Sequence, residues 1–531
     1  MQRRRFVQAS LAVPVALIGA RSHANTGNAM DFKLEEATID QIGAALRAQR
    51  TTALGLVRAY GERIESIDRA GPTLRSVIEL NPEAEAIAQA LDAEASSGRW
   101  RGPLHGVPIL VKDNIATADR MQTSAGSPAL VGAQAPRDAF VVQRLRAAGA
   151  VLLGKANLSE WANIRGQHSI SGWSTRGGQT LNPYALDRSP SGSSSGSGVA
   201  VAANLCAAAV GTETDGSITS PSSVNALVGL KPTVGALSRD GIVPISFSQD
   251  TPGPMCRTVR DAALLLAGMA GADARDAATR ASAKRLQAGA FDKLDMRSLR
   301  GVRIGIASNI ASTHRGVISL FDNAQAALKD LGAEVVETPI PHTDKIWAGE
   351  LDVLLHELKH SMALYLNEFA PNLPLKSLAD VIAYNQQNAS TVLKWFGQEL
   401  FEQAQAKGNL KSAAYRKALN DGLRYSRTLG IDAMLRQKRL HALLAPTGEP
   451  AWLIDTVNGD IAGGASATSP PAVAGYPHVT VPMGLTGGLP VGLSFIGPAW
   501  SDVRLLQYAH AYEQATQLRQ PPTYRASSVQ R

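Results

Sequence analysis

One lysine and two serine-containing loops are the residues of this chain whose types and spacing suit chemistry. Lys112 directly follows the apolar run 107–111. Ser193 lies 81 residues later, in Ser-Gly-Ser-Ser-Ser-Gly-Ser (191–197), and Ser217 lies 24 residues after that, in Gly-Thr-Glu-Thr-Asp-Gly-Ser (211–217). Because a neutral lysine can serve as the base for a serine hydroxyl, the pattern predicts a serine hydrolase that does not use histidine.

Lys112 is predicted to stand at the end of a short buried strand, the place where α/β sheets carry their chemistry. Burial there lowers the pKa of a lysine, because desolvation disfavours the charged form. Asp113 is the next residue, but neighbours in an extended segment point to opposite sides, so it need not pair with Lys112. A lysine after a strand is more often a surface charge, so the catalytic interpretation of Lys112 depends on the two serine loops.

The first serine loop also satisfies Gly-x-Ser-x-Gly with Ser194 at its centre, the motif of the nucleophile elbow. An elbow follows a hydrophobic strand, whereas this loop follows a turn-rich segment with Asn182-Pro183 and Ser189-Pro190. It also lacks an accompanying His-Gly-Gly-Gly oxyanion motif. These differences disfavour Ser194 as a nucleophile served by histidine.

The second loop supplies a predicted oxyanion hole. Residues Thr214, Asp215, Gly216 and Ser217 present consecutive backbone N–H groups in a turn. Glycine at 216 lets the backbone approach a substrate carbonyl closely. Ser217, at the tip of the turn, is placed to attack that carbonyl.

With the motifs at 228–233 (Val-Gly-Leu-Lys-Pro-Thr) and 250–255 (Asp-Thr-Pro-Gly-Pro-Met), these loops resemble the amidase signature family over about residues 36–520. The resemblance implies a Ser-Ser-Lys mechanism whose central serine follows a cis peptide. Carried over, Lys112 is the base, Ser193 the relay and Ser217 the acylated nucleophile.

Five further segments resemble the peptide amidase branch of that family: 158–163, 169–174, 176–180, 238–241 and 244–250. This finer resemblance implies hydrolysis of the C-terminal carboxamide of a small peptide, with release of ammonia through an acyl-enzyme. A broad amidase or esterase acting on small molecules is the alternative within this fold. A silent peptide-binding protein and an amidotransferase component that acts on charged tRNA are the alternatives from other classes.

Four other candidates are predicted to be structural: His105, His168, His478 and the strand-end Lys155. The His, Cys, Asp and Glu residues show no metal-ligand spacing, so neither a metal nor a cofactor is predicted. Cys206 and Cys256 are the only cysteines. Cys206 is predicted to be a small buried residue in a helix over 199–209, and a bridge between the two stays open.

The N-terminus has the features of an export signal. Arg3, Arg4 and Arg5 precede an apolar stretch and a small-x-small site at Ser22–Ala24. We therefore expect residues 1–24 to be a twin-arginine-type signal that directs residues 25–531 to the periplasm. The stretch is too short to span a bilayer, so no stable membrane association is predicted.

Charge argues against a nucleic-acid partner. The formal net charge is +8. Removal of residues 1–24 takes away four arginines, including Arg21, and no acid, which leaves +4. That is modest for a chain of this length. An obligate partner subunit is not expected either.

Hydrophobic periodicity predicts the elements that must position these residues. Thr38 and Gln41 form a capping box ahead of two amphipathic helices over 39–69. Strands at 107–111, 150–153, 302–307, 334–336, 443–445, 479–481 and 492–496 alternate with helices, which predicts an α/β fold: one large domain with a mixed sheet flanked by helices. The Gly-, Ser- and Thr-rich segment 449–470 is predicted to be a loop over the site.

Overall fold

The computed structural model describes residues 32–286, 294 and 297–528. The predicted export signal, residues 1–24, lies outside these ranges.

Seventeen α-helices are formed within the described ranges. They are α1 Ile39–Arg47, α2 Ala53–Arg63, α3 Ala84–Ser96, α4 Phe140–Ala147, α5 Ser195–Ala202, α6 Thr219–Val224, α7 Val259–Met269, α8 Ser282–Arg285, α9 Arg315–Asp330, α10 Thr343–Phe369, α11 Leu378–Gln387, α12 Ala389–Val392, α13 Glu399–Ala406, α14 Ala413–Leu423, α15 Asp432–Gln437, α16 Ser469–Ala474 and α17 Asp502–Thr516.

The same ranges hold thirteen strands. They are β1 Val77–Leu80, β2 Pro108–Lys112, β3 Val151–Ala156, β4 Trp173–Ser174, β5 Gly178–Gln179, β6 Ala208–Glu213, β7 Val228–Lys231, β8 Thr251–Cys256, β9 Arg303–Ile306, β10 Glu334–Glu337, β11 Ala442–Pro446, β12 His478–Thr486 and β13 Leu489–Ile496.

Eleven strands form one sheet, in the order β1-β3-β2-β6-β8-β7-β12-β13-β11-β9-β10, and β4 pairs with β5. β2 runs parallel to β3 and to β6, whereas β8 runs antiparallel to β6 and to β7. β9 is parallel to β10 and β11. The sheet is therefore mixed, and the predicted α/β fold with one large helix-flanked sheet is confirmed.

The register of three central strands brings the chemistry to one edge of the sheet. Val111 of β2 pairs with Val210 of β6, so the carboxyl ends of both strands emerge side by side. Glu213 at the end of β6 pairs with Thr251 at the start of β8. Lys112, Thr212 and Asp250 are therefore neighbours although they are far apart in sequence.

Several predicted elements are confirmed with adjusted ends. Thr38 and Gln41 form the reciprocal capping box of α1. The predicted strand at 107–111 is β2, shifted by one residue, so Lys112 is its last residue.

The helix predicted over 199–209 is confirmed over 199–202 and wrong beyond that point. Helix α5 begins inside the serine loop at Ser195 and ends at Ala202; Asn204 has a left-handed φ of 57°, and Ala208 begins β6. Every residue of α5 and β6 is buried. A fully buried segment of small apolar residues carries no periodicity that separates helix from strand, which explains the error.

Cys206, between α5 and β6, and Cys256 are both buried free thiols, which settles the open question of a bridge. Burial raises the pKa of the Cys206 thiol to about 12. Among the described helices, none is both long and apolar enough to cross a membrane.

Candidate active site

Lys112 is fully buried at the end of β2 and has three close partners. Its Nζ lies 2.8 Å from Ser193 Oγ, 2.9 Å from Thr212 Oγ1 and 3.2 Å from the Thr212 carbonyl oxygen. A neutral amine has two N–H groups and one lone pair. If the two N–H groups donate to Thr212, the lone pair is left to accept the proton of the Ser193 hydroxyl.

Burial lowers the pKa of Lys112 to about 7, because the charged ammonium loses its hydration. The negative charges of Asp250 and Glu213 act in the opposite direction and favour the ammonium. Desolvation dominates, so a substantial fraction of the amine is neutral near pH 7.

Ser193 is held by a tightly packed loop. The Gly192–Ser193 peptide bond is cis, as the family resemblance implied. A Cβ atom at Gly192 would collide with Ser159 Oγ, so a side chain here would displace the Ser159 hydroxyl. The carbonyl of Ser193 accepts a hydrogen bond from Ser159 N–H at 3.1 Å. These contacts fix the Ser193 hydroxyl beside Lys112.

Ser194, the centre of the Gly-x-Ser-x-Gly motif, is bound elsewhere. Its hydroxyl donates to the Thr212 carbonyl at 3.0 Å and accepts from Thr212 N–H at 3.2 Å. Its side chain is fully buried. The partners of Ser194 are backbone groups of β6 and not a histidine, so the geometry does not support the elbow.

The turn 214–217 follows β6 and is anchored at both ends. Thr214 Oγ1 donates to Asp250 Oδ1 at 2.5 Å, and the carbonyl of Ser217 accepts from Ser194 N–H at 3.1 Å. Gly216 has a φ of 74°, in the left-handed region that favours glycine. The Ser194–Ser217 contact joins the two serine loops directly.

The N–H groups of this turn are available to a ligand. Glu213 accepts hydrogen bonds from the N–H groups of Ile218 and Thr219, at 2.7 and 2.8 Å. In contrast, the backbone N–H groups of residues 215–217 donate to no acceptor in the described part of the chain. Unpaired donors in a turn beside a serine hydroxyl are what an oxyanion hole requires.

A cavity of about 260 Å³ adjoins the Lys112 end of this site. It reaches Asn114, Thr212 and Thr214, and its outer wall is formed by the segment 239–245 and by Tyr365 and Phe369 of α10. Neither Ser193 nor Ser217 lines it. The cavity therefore lies on the β6–β8 side of the base rather than over the serines.

Three of the residues predicted to be structural have contacts away from Ser193 and Ser217. His105 Nε2 lies 3.1 Å from the Leu91 carbonyl, and Lys155 donates to the Ile115 carbonyl at 2.6 Å and to Thr123 Oγ1 at 2.8 Å. His478 contacts Ser494 Oγ at 2.6 Å, and burial lowers its pKa to about 3. Lys112, in contrast, contacts a serine of the candidate site.

Sequence reasoning missed the supporting residues. Thr212 belongs to the second loop and Asp250 to the motif at 250–255, but neither pattern indicates a role for them. Glu350 of helix α10 reaches the turn through Gln249, whose Nε2 donates to Glu350 Oε1 at 2.8 Å and to the Thr214 carbonyl at 3.3 Å, and no sequence motif indicates it. The segment 449–470 does reach the site, because Thr468 packs on Gly216 and Ser469 Oγ donates to Asp215 Oδ2 at 2.5 Å.

Comparisons with known proteins agree with this fold. The Amidase family model matches residues 55–506. A probable amidase from Arabidopsis thaliana is 42% identical over 503 residues, covering 93% of this chain and 92% of the relative. A glutamyl-tRNA(Gln) amidotransferase component from Symbiobacterium thermophilum is 38% identical over 443 residues, covering 81% of this chain and 87% of that protein.

Among solved structures, the native peptide amidase of Stenotrophomonas maltophilia is 49% identical, with a TM-score of 0.88 and coverage of 92% of this chain and 99% of that one. The chain belongs to the amidase signature family. It is an amidase-family hydrolase.

Proposed function

We propose that this protein hydrolyses the C-terminal carboxamide of small peptides to the free acid and ammonia. The observation that carries the chemistry is the contact of 2.8 Å between Lys112 Nζ and Ser193 Oγ, beside a turn whose N–H groups are free and which ends in Ser217. Similarity to the Stenotrophomonas maltophilia peptide amidase supports the peptide substrate.

In the proposed reaction Ser217 attacks the carboxamide carbon. Its proton passes to Ser193, whose own proton passes to the neutral amine of Lys112. The oxyanion is held by the N–H groups of the turn 214–217. Collapse of the adduct breaks the C–N bond, and the proton returns from Lys112 through Ser193 to the leaving nitrogen, which departs as ammonia.

Water then attacks the acyl ester on Ser217. Its proton follows the same path to Lys112, and the second adduct collapses to a peptide carboxylic acid and a free Ser217 hydroxyl. In each half-reaction Lys112 accepts one proton and then gives it up again, so the enzyme ends in its starting protonation state. No metal, cofactor or partner subunit is needed for this cycle.

The substrate class is tested by parallel assays of dipeptide and tripeptide amides, acetamide, benzamide and simple esters. Ammonia release and mass spectrometry of the acid product are the measurements. We expect kcat/KM to be highest for peptide amides and the Ser217→Ala variant to be inactive on all of them. A preference for acetamide or benzamide would identify a broad amidase instead. Binding of peptides without turnover of any amide would refute the proposal that the protein is an enzyme.

We also propose export of the protein through residues 1–24, on the strength of the arginines at 3–5 and the small-x-small site. N-terminal sequencing of the protein recovered from the periplasm tests this, with a variant in which Arg3, Arg4 and Arg5 are lysines. We expect the periplasmic protein to begin near residue 25. We expect the lysine variant to yield no such mature protein. Equal recovery of both proteins from the cytoplasm with an intact N-terminus would contradict it.

A further inference from the structure

Two carboxyl groups meet behind the oxyanion turn. Asp215 lies in the turn, two residues before Ser217, and Glu350 reaches it from α10; both residues are partly buried. The two side chains lie within hydrogen-bonding range of each other. They join the nucleophile turn to a helix that carries none of the residues assigned to the proton relay.

The surroundings of this pair are polar and specific. Ser469 Oγ donates to Asp215 Oδ2 at 2.5 Å. Gln249 Nε2 donates to Glu350 Oε1 at 2.8 Å and to the Thr214 carbonyl at 3.3 Å. The other oxygen of Asp215, Oδ1, is buried and receives no hydrogen bond from an N–H or from an alcohol hydroxyl in the described part of the chain. One carboxyl oxygen in the turn therefore lacks a donor unless Glu350 supplies it.

A protonated Glu350 is the donor that completes the arrangement. Burial, and next the negative charge of Asp215, hold the pKa of Glu350 well above its usual range. Two carboxylates in contact at a partly buried position repel each other, so one of them keeps its proton. The buried Lys231 attracts the Asp215 carboxylate, and Glu213 repels it.

We propose that Asp215 and Glu350 form a hydrogen-bonded acid pair that positions the oxyanion turn, and that ionisation of this pair limits activity at alkaline pH. The inference rests on the proposed amide hydrolysis. Neither carboxyl side chain touches the reacting atoms, so both side chains act by positioning the turn, whose backbone N–H groups face the substrate. Glu350 restrains the Asp215 side chain on one side, and Ser469 restrains it on the other. This restraint fixes the positions of the N–H groups of residues 215–217.

The decisive comparison is between Glu350→Gln and Glu350→Ala. Glutamine keeps the length and an N–H donor for Asp215 Oδ1 but cannot ionise, whereas alanine removes the donor. We expect Glu350→Gln to keep kcat near the wild-type value and to lose the alkaline decline. Loss of one oxyanion donor costs about 10²–10³-fold, so a displaced turn in Glu350→Ala should lower kcat by about ten-fold or more with little change in KM.

Asp344→Asn is the matched control, because Asp344 is an exposed acid in the first turn of the same helix. It should retain both the activity and the alkaline decline of the wild type. A wild-type profile with no alkaline decline, or a Glu350→Gln profile that declines like the wild type, would overturn the proposal. Equal losses of kcat in the Gln and Ala variants would overturn it as well.

A second measurement separates this proposal from the proposed function. The rate at which a fluorophosphonate labels Ser217 needs a nucleophile and oxyanion donors but no peptide recognition. If no peptide amide is turned over by the wild type, the labelling rates of the three variants against pH still test the acid pair. Should Glu350→Ala fail to fold, the comparison of Glu350→Gln with the wild type decides alone.

Discussion

The pH dependence of turnover should follow the protonation of Lys112. Because burial lowers the pKa of Lys112 to about 7, and only the neutral amine can take the relayed proton, activity should fall as pH drops through that value. With one titrating group the neutral fraction is about one half at pH 7, about one tenth at pH 6 and about one hundredth at pH 5. We therefore expect kcat/KM to decline about ten-fold per pH unit below pH 6.

The assay is ammonia release from one peptide amide across pH 5–9, at substrate concentrations below KM. Lys112→Met removes the base while keeping a side chain of similar length, and should lower kcat/KM by about 10²–10⁴-fold. Lys155→Met is the matched control, since Lys155 is equally buried near the end of the adjacent strand, with its pKa lowered by burial to about 8, but contacts no serine. Far-UV circular dichroism shows whether each variant is folded.

A titrating histidine is the competing explanation for an acidic limb, that is, for a fall in activity as the pH drops below 7. The pKa of His478 is lowered by burial to about 3, so this residue stays neutral over the assay range and His478→Gln should leave the limb in place. The carboxylate of Asp250 raises the pKa of Lys112, so Asp250→Asn should move the limb to lower pH. Lys112 is not the base if His478→Gln or His105→Gln, once shown to be folded, removes turnover as completely as Lys112→Met.

Four further outcomes are expected. A sulfonyl fluoride or phosphonate should label Ser217 in peptide mapping, and Ser217→Ala should abolish labelling and turnover; a label on another serine would contradict this. Ser193→Ala should cost less in kcat than Ser217→Ala, because water can partly replace a relay hydroxyl; equal losses would argue that it does more than relay. Gly216→Ala should lower kcat, since a side chain at φ 74° costs about 1–3 kcal/mol and its Cβ would lie 3.2 Å from the Thr468 methyl group; unchanged kinetics would show that the turn tolerates a shift. Breaking the fully buried Glu160–Arg165 ion pair (2.7 Å) by Glu160→Gln should lower the free energy of unfolding in urea by about 3–5 kcal/mol; a loss below about 1 kcal/mol would mean that the uncompensated Arg165 charge is solvated or re-paired.

Local sequence determined the features whose physics is local. Thr38 and Gln41 are three residues apart and cap α1 as their side chains dictate. The short apolar run before Lys112 predicted a buried strand, and it forms β2. Glycine at 216 allows the left-handed turn. The order of Lys112, Ser193 and Ser217, together with the motifs at 228–233 and 250–255, supported the family resemblance and hence the fold that the resemblance implied.

Tertiary structure decided what depends on residues far apart in sequence. Lys112 is the last residue of β2 and Lys155 the penultimate residue of the adjacent parallel strand β3, and both are fully buried, so no local pattern tells them apart. The register of β2 against β6 brings only Lys112 to Thr212 and Ser193. The boundary between α5 and β6 was missed because burial on all sides erases the periodicity that distinguishes a helix from a strand. The contact of Asp215 with Glu350 depends on the packing of α10 against the turn. No pattern in the sequence around either carboxyl group predicts this contact.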